Sequence, residues 1–154
     1  MKKYIGTKII EAQPGTMAEA QAMKSQYPVE LQKDPSGPQG YIVKYPDGYI
    51  SWSPKEPFEA AYRESGNMTF GLAIEALKKG LRVARHGWNG KEMYLYHVPA
   101  NRYTALTDAA KGIAGADGKV EYGAYVAIKT AKGNVEPWLA TQADILGEDW
   151  YIVE

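Results

Sequence analysis

The chain has 154 residues, 45 % hydrophobic and 23 % charged, with a formal net charge of zero. This composition fits one ordinary soluble domain or two very small ones, and a neutral chain has no global field to gather nucleic acid or an anionic membrane surface. With no cysteine, disulfides and thiolate chemistry are excluded, and no apolar run approaches the ~18 residues of a membrane span. The unusual feature is aromatic, with 12 Tyr and 4 Trp against 2 Phe. Amphipathic rings suit surfaces that are dry on one side and wet on the other, either interfaces and ligand pockets or half-buried sheet faces.

In chain order, residues 3–11 alternate weakly around Ile5, Ile9 and Ile10, which predicts a first strand ended by Pro14-Gly15. Thr16 and Glu19 form a capping-box pattern that starts a helix running to about Ser25. Residues 27–40 hold three prolines and two glycines and read as a loop. Residues 41–45 and 49–52 are β-rich and joined by Pro46-Asp47-Gly48, which predicts a hairpin. Ser53-Pro54-Lys55-Glu56 reads as a second capping box, with Pro at the first helical position, opening a helix to about Glu64 that presents Phe58, Ala61 and Tyr62 on one face. Ser65-Gly66-Asn67 marks a boundary between a unit of residues 1–66 and one of residues 67–154.

Thr69 caps the next predicted helix, where Phe70, Ala73, Ile74 and Leu77 form one apolar stripe before the stop signal Lys78-Lys79-Gly80. Residues 81–86 and 93–98 read as strands, the second with Tyr94 and Tyr96 on one face and Met93 and Leu95 on the other. Residues 99–123 are rich in Gly and small residues and suggest a mobile excursion with a short helix near residues 106–111; a loop this long is usually either a functional lid or an ordered insertion. Residues 125–129 and 135–138 form a further hairpin. Thr141 and Asp144 suggest a third capping box, and residues 150–153 a final edge strand. The hairpin–Trp–capped helix pattern occurs twice, with too few identities to indicate a duplication. The fold class that follows is α+β: antiparallel sheet with helices packed on one side, as a small N-terminal unit and a larger C-terminal one.

The chemistry concentrates between the two middle strands, in Arg85-His86-Gly87-Trp88-Asn89-Gly90-Lys91. Burying a Trp is favourable by roughly 2–3 kcal/mol, so a Trp in a polar loop calls for a reason. Either Trp88 folds back onto the core, with Arg85 and Lys91 as a solubilising rim, or it offers a flat platform to a base while the cations and loop amides meet phosphates. Asp144 has a similar double reading, as the third residue of a capped helix or as an acceptor for ribose hydroxyls, with Gln142 beside it. Glu148-Asp149 reads as a solvated turn. His86 and His97 lack metal-ligand spacing, and no Gly-x-Ser-x-Gly elbow or Walker loop is present. No metal, cofactor or catalytic residue is expected.

From Met68 onward the chain resembles a known family. The resemblance rests on Met68-Thr69-Phe70-Gly71-Leu72-Ala73-Ile74-Glu75-Ala76-Leu77, Val83-Ala84-Arg85, Gly87-Trp88-Asn89-Gly90-Lys91 and Met93-Tyr94-Leu95-Tyr96. It continues through Pro137-Trp138-Leu139-Ala140-Thr141-Gln142-Ala143-Asp144-Ile145-Leu146 to Glu148-Asp149-Trp150. These segments are similar to the second type of Thoeris anti-defence protein, a family of phage sponges. The resemblance implies binding without turnover: capture of a cyclic ADP-ribose variant (glycocyclic ADP-ribose), with cyclic dinucleotides as further ligands, by a homotetramer in the cytoplasm of the infected bacterium. It implies that Trp88 and Asp144 belong to the pocket. Arg85, Asn89, Lys91, Tyr94, Tyr96, Trp138 and Gln142 join the candidate set. His86 stands where a Lys or similar residue is common in the family, and residues 1–66 are extra relative to the short members. Two rivals remain open: a protein–protein interaction module with no small-molecule ligand, and a nucleotide-processing enzyme with Asp144 or His86 as general base.

Overall fold

A computed structural model of the chain describes residues 2, 7–25 and 37–154. It divides into two compact units, Met1–Arg63 and Glu64–Glu154.

The first unit is a three-stranded antiparallel sheet of order β1-β2-β3, formed by β1 (Glu11–Gly15), β2 (Gly40–Lys44) and β3 (Ile50–Pro54). Helices α1 (Met17–Lys24) and α2 (Lys55–Ala61) both pack on β2 and β3. The predicted hairpin is present, with the Tyr45 amide donating to the Tyr49 carbonyl at 2.8 Å across its turn. The Thr16 capping box is closed in both directions: the Glu19 amide donates to the Thr16 hydroxyl, and the Thr16 amide donates to the Glu19 carboxylate at 2.7 Å. The Thr16 amide and, at 3.0 Å, the Thr16 hydroxyl both donate to the Glu19 carboxylate and hold it below the usual glutamate range.

Two expectations change here. Residues 3–6 of the expected first strand, and most of the expected loop, lie outside the described residues. Residues 7–10 are not strand, and the strand is Glu11–Gly15, which includes the Pro14-Gly15 pair expected to end it. The reason is tertiary: β1 is an edge strand, where a residue without an amide proton is tolerated, and Pro14 sits opposite Tyr41. Ser53 does not cap α2. It remains in β3, Pro54 occupies the cap position without a side-chain hydrogen bond, and the helix stops at Ala61 rather than Glu64. The register that places Ser53 opposite Tyr41 claims it for the sheet. Phe58 does face inward, stacked between Tyr41 at 4.1 Å and Tyr62 at 4.9 Å.

In the second unit, α3 (Phe70–Lys78), β4 (Arg82–Arg85) and β5 (Tyr94–Val98) are followed by an excursion. Then come β8 (Tyr125–Lys129), β9 (Val135–Pro137), α5 (Gln142–Ile145) and β10 (Trp150–Val153). The sheet order is β10-β4-β5-β8-β9, all antiparallel, so the end of the described chain returns to pair with β4 at the sheet edge. That edge is partly covered by the segment before α3: the Met68 amide donates to the Trp150 carbonyl at 2.7 Å, and the Ile152 amide donates to the Ser65 carbonyl at 3.0 Å. Helix α3 starts at the Thr69 cap and is closed by Gly80 with φ +82°, a conformation glycine adopts without strain.

The stripe expected on α3 lies on β4, β5 and β10, and the core is Met68, Ala73, Ala76, Leu77, Val83, Leu95 and Trp150. Leu95 is fully buried, which settles the facing of β5: Tyr94 and Tyr96 alternate with it onto the opposite sheet face. The excursion is not structureless. β6 (Asn101–Thr104) and β7 (Lys119–Tyr122) form a separate antiparallel pair joined through α4 (Asp108–Lys111), with Tyr103 and Tyr122 ring to ring at 5.6 Å. Of the readings its length and small residues allow, it is the ordered insertion, because the strand pairing of residues 101–104 with 119–122 supplies backbone hydrogen bonds. No helix among the described residues is long and apolar enough to cross a membrane.

Candidate functional site

Strand β4 ends at Arg85, and the chain turns immediately, the Trp88 amide donating to the Arg85 carbonyl at 3.2 Å. This turn carries Trp88 over the end of the core. Its ring meets Trp150 edge-on at 5.6 Å and Trp138 at 6.4 Å, while Trp138 and Trp150 lie 6.0 Å apart. Phe70 from α3 closes the group, 5.5 Å from Trp150 and 6.2 Å from Trp138. Trp150 is the fully buried floor, whereas Trp88 and Trp138 are half-buried and keep ring surface in solvent. Both readings of Trp88 therefore hold in part: its ring packs against the core and part of it stays accessible.

Asp144 is the hub beneath this rim. Its Oδ2 accepts from the Thr141 amide at 2.9 Å and the Thr141 hydroxyl at 2.6 Å. Its Oδ1 accepts from Arg85 Nη1 at 3.0 Å and from Trp88 Nε1 at 3.3 Å. Its carbonyl accepts from Trp150 Nε1 at 2.9 Å. A carboxylate offers about four acceptor positions, and four protein donors occupy these two oxygens. Burial pushes the Asp144 carboxyl up, but the Thr141 hydroxyl and amide, Arg85 and Trp88 together outweigh it and hold it below the usual aspartate range.

Arg85 joins Asp144 to Asp149, with Nε donating to Asp149 Oδ1 at 2.7 Å. Asp149 Oδ2 accepts from the Gly87 amide at 2.9 Å. Asp149 is thus half-buried and paired, not the solvated turn residue expected. The partners that order it lie more than sixty positions away in sequence. Burial raises its carboxyl, and Arg85 and the Gly87 amide more than offset this, leaving it below the usual range. The Arg85 guanidinium is raised above its ordinary value by the hydrogen bond it donates to Asp149, against the effect of burial. One guanidinium facing two carboxylates leaves this trio with an excess of negative charge.

Of the residues singled out in the sequence, Arg85, Trp88, Trp138 and Asp144 are brought together. Asn89 and Lys91 are exposed in the same loop, and Gln142 is exposed at the start of α5. Tyr94 and Tyr96 lie on the opposite sheet face, 6.2 Å apart, with the Arg82 guanidinium 5.1 Å from the Tyr94 ring. Past the loop, Glu92 has φ +56°, a left-handed conformation that costs a residue with a Cβ about 1 kcal/mol. Lys129 tethers it, donating to the Glu92 carbonyl at 3.1 Å. A neighbouring open cleft of about 370 Å³ is lined by Met93, Thr130, Ala131, Lys132, Asn134 and Glu136, and none of the Trp88 cluster lines it. Sequence reasoning missed Asp149, Trp150 and Phe70 as parts of the site. Trp150 carried a signal, since a Trp at the start of an edge strand needs cover.

Comparison with known proteins bears on this same region. The profile described as a Thoeris anti-defense 2-like domain matches residues 68–153. The curated protein Thoeris anti-defense 2 of Bacillus phage SP01 is 38 % identical over 86 residues, which span 56 % of this chain and 94 % of that protein.

Proposed function

The chain belongs to the Thoeris anti-defense 2-like family, and from that premise we propose that it is a phage anti-defence protein that captures a cyclic ADP-ribose-type immune signal and holds it uncleaved. The signal is glycocyclic ADP-ribose, and its removal leaves the Thoeris effector inactive in the cytoplasm of the infected cell. The observation that carries this reading is the Trp88 ring. It is fixed through Nε1 to Asp144 and by its T-shaped contact with Trp150, yet keeps accessible surface. A ring immobilised before the ligand arrives loses little freedom on stacking a base.

The cluster's charge refines the roles. Arg85 is committed to two carboxylates, so an anionic pyrophosphate gains little beside it. The phosphates fall instead to Lys91 and Asn89, both exposed, and to the loop amides beyond Trp88. Asp144 accepts ribose hydroxyls only by exchanging protein donors for them, so its main part in binding is to hold Trp88 and Arg85. Trp138 supplies a second ring and Gln142 an amide at the rim. Leu139 and Leu146, 89 % and 76 % exposed beside Trp138 and α5, support a site completed by further copies of the chain, as in a homotetramer. The same exposed residues are what an interaction module without a small-molecule ligand would present.

Calorimetric titration with glycocyclic ADP-ribose tests the proposal, followed by heating the complex and identifying what is released. Saturable binding and return of intact ligand is the expected result. Release of a cleaved product would make the protein an enzyme. A well-folded protein that takes up neither this ligand nor a cyclic dinucleotide would leave the interaction module as the better reading. In the same assay Trp88→Ala is expected to weaken binding by about 1–3 kcal/mol through lost stacking. Unchanged affinity would remove Trp88 from the pocket.

A further inference from the structure

We propose that Asp149 is a positioning residue that sets the Trp88 loop in its ligand-capturing form, with Gly147 supplying the clearance this requires. The inference rests on the sponge reading above and adds two residues that it does not use. Asp149 meets three successive residues at the root of the loop. Its Oδ1 accepts from Arg85 Nε at 2.7 Å, its carbonyl accepts from the His86 amide at 3.1 Å, and its Oδ2 accepts from the Gly87 amide at 2.9 Å. The next residue is Trp88, whose own amide closes the turn onto the Arg85 carbonyl. One residue, through its carboxylate at Arg85 and Gly87 and its carbonyl at His86, thus defines the path of the backbone up to the platform ring, while Asp144 fixes the ring itself through Nε1.

The sheet does not need this carboxylate. Strand β10 is held to β4 by backbone pairing from Trp150 opposite Arg85 to Val153 opposite Arg82. What the Asp149 side chain adds is the direction in which the chain leaves β4. Arg85 links it to Asp144, so the loop path and the ring orientation are set together. Gly147 makes room for that link. A Cβ there would stand 2.8 Å from Arg85 Cζ and Nη2 and 2.9 Å from Nε. A guanidinium tip can usually swing away from such a contact, but here it would have to leave both carboxylates.

The test uses the full chain and two readouts: affinity for glycocyclic ADP-ribose by calorimetry, and hydrogen–deuterium exchange at the Gly87 amide. Asp149→Asn keeps one acceptor oxygen but turns an amide group toward an N–H donor. It is expected to weaken binding tenfold or more and to speed exchange at Gly87. Gly147→Ala should do the same although both carboxylates remain. Asp149→Glu, which keeps the charge and both acceptors, should recover part of the affinity, and E11Q, which removes an exposed carboxylate paired with Lys44, should match the parent chain. If Gly147→Ala does not fold, the Asp149 pair carries the test. Parent-like affinity in Asp149→Asn would overturn the proposal, including the case in which Gly87 exchanges faster but binding is unchanged. If the parent chain binds no ligand, the sponge reading fails by itself. The exchange data then decide the clamp alone: unchanged protection of Gly87 in Asp149→Asn overturns it, and lost protection supports it for whatever the loop meets.

Discussion

At the scale of single residues, Asp144 bears the most consequence per atom. Its side chain is 9 % exposed and Arg85's is 15 %, so their pairing is only weakly screened by solvent. Removing one partner of such a pair leaves the other charge uncompensated, which costs about 3–5 kcal/mol. Asp144→Ala also frees Trp88 Nε1 and uncaps α5, so a loss of stability of that order is expected, read as a lowered midpoint in a melting curve and larger than for any exposed ion pair among the described residues. The pH dependence follows from the same bonds. Asp144 and Asp149 both titrate below the ordinary aspartate value in the folded state. Their contribution is complete above about pH 4, the unfolded value, and is lost as the pH falls through the lowered folded values. The midpoint should therefore be flat with respect to these groups from neutral pH down to about 5 and drop below about 4, and Asp149→Asn should reduce the drop. Trp88 was legible as a ring needing a reason to stand in a loop. Its partners were not, because nothing local to residues 85–91 names Asp144 or Trp150.

At the scale of elements, the helix starts separate what neighbouring residues decide from what the sheet decides. Thr16, Thr69 and Thr141 each cap as their spacing predicts, since a Thr hydroxyl and an amide three residues on are within reach whenever the helix forms. Ser53 fits the same pattern and does not cap, because pairing opposite Tyr41 extends β3 through it. The two cases predict different costs. Thr16→Ala should destabilise the first unit by about 1 kcal/mol, while Ser53→Ala should change stability by no more than about 0.5 kcal/mol. Chemical denaturation of both variants checks this, and equal losses would mean that Ser53 caps in solution. The excursion of residues 99–123 makes the same point for strands. Its glycines were visible, whereas the pairing of Asn101 with Tyr122 and of Thr104 with Lys119 was not.

At the scale of the whole molecule, each unit has its own sheet and helices, and the second carries the core cluster and the Trp88 site together. Residues 64–154 alone should therefore fold cooperatively and retain whatever ligand affinity the full chain has, as read by circular dichroism melting and calorimetry. The starting residue matters. The Ser65 carbonyl accepts from the Ile152 amide, and the Gly66 carbonyl lies 3.0 Å from His86 Nε2. A fragment beginning at Asn67, the boundary expected from the sequence, would lose both contacts and expose more of the β10 edge. It should melt at a lower temperature than the fragment beginning at Glu64. Equal midpoints would show that the edge needs no cover from residues 65–66.

The sequence by itself determined the α+β class, the helix starts capped by Thr16, Thr69 and Thr141, the two hairpins, the edge position of the last strand and the membership of a family of Thoeris anti-defence proteins. All of these rest on interactions between near neighbours or on ordered short motifs, which the chain displays directly. Only the tertiary structure decided which face of β5 is buried, where the first strand begins, and that Asp149 is a paired residue under the site. It also decided that Asp144 has its acceptor positions filled before any ligand is present. The reason is distance along the chain: Arg85 and Asp149 are 64 residues apart, and they meet because β10 returns to pair with β4. Burial, charge pairing and register depend on that return, and no local pattern around Arg85 or Asp149 encodes it.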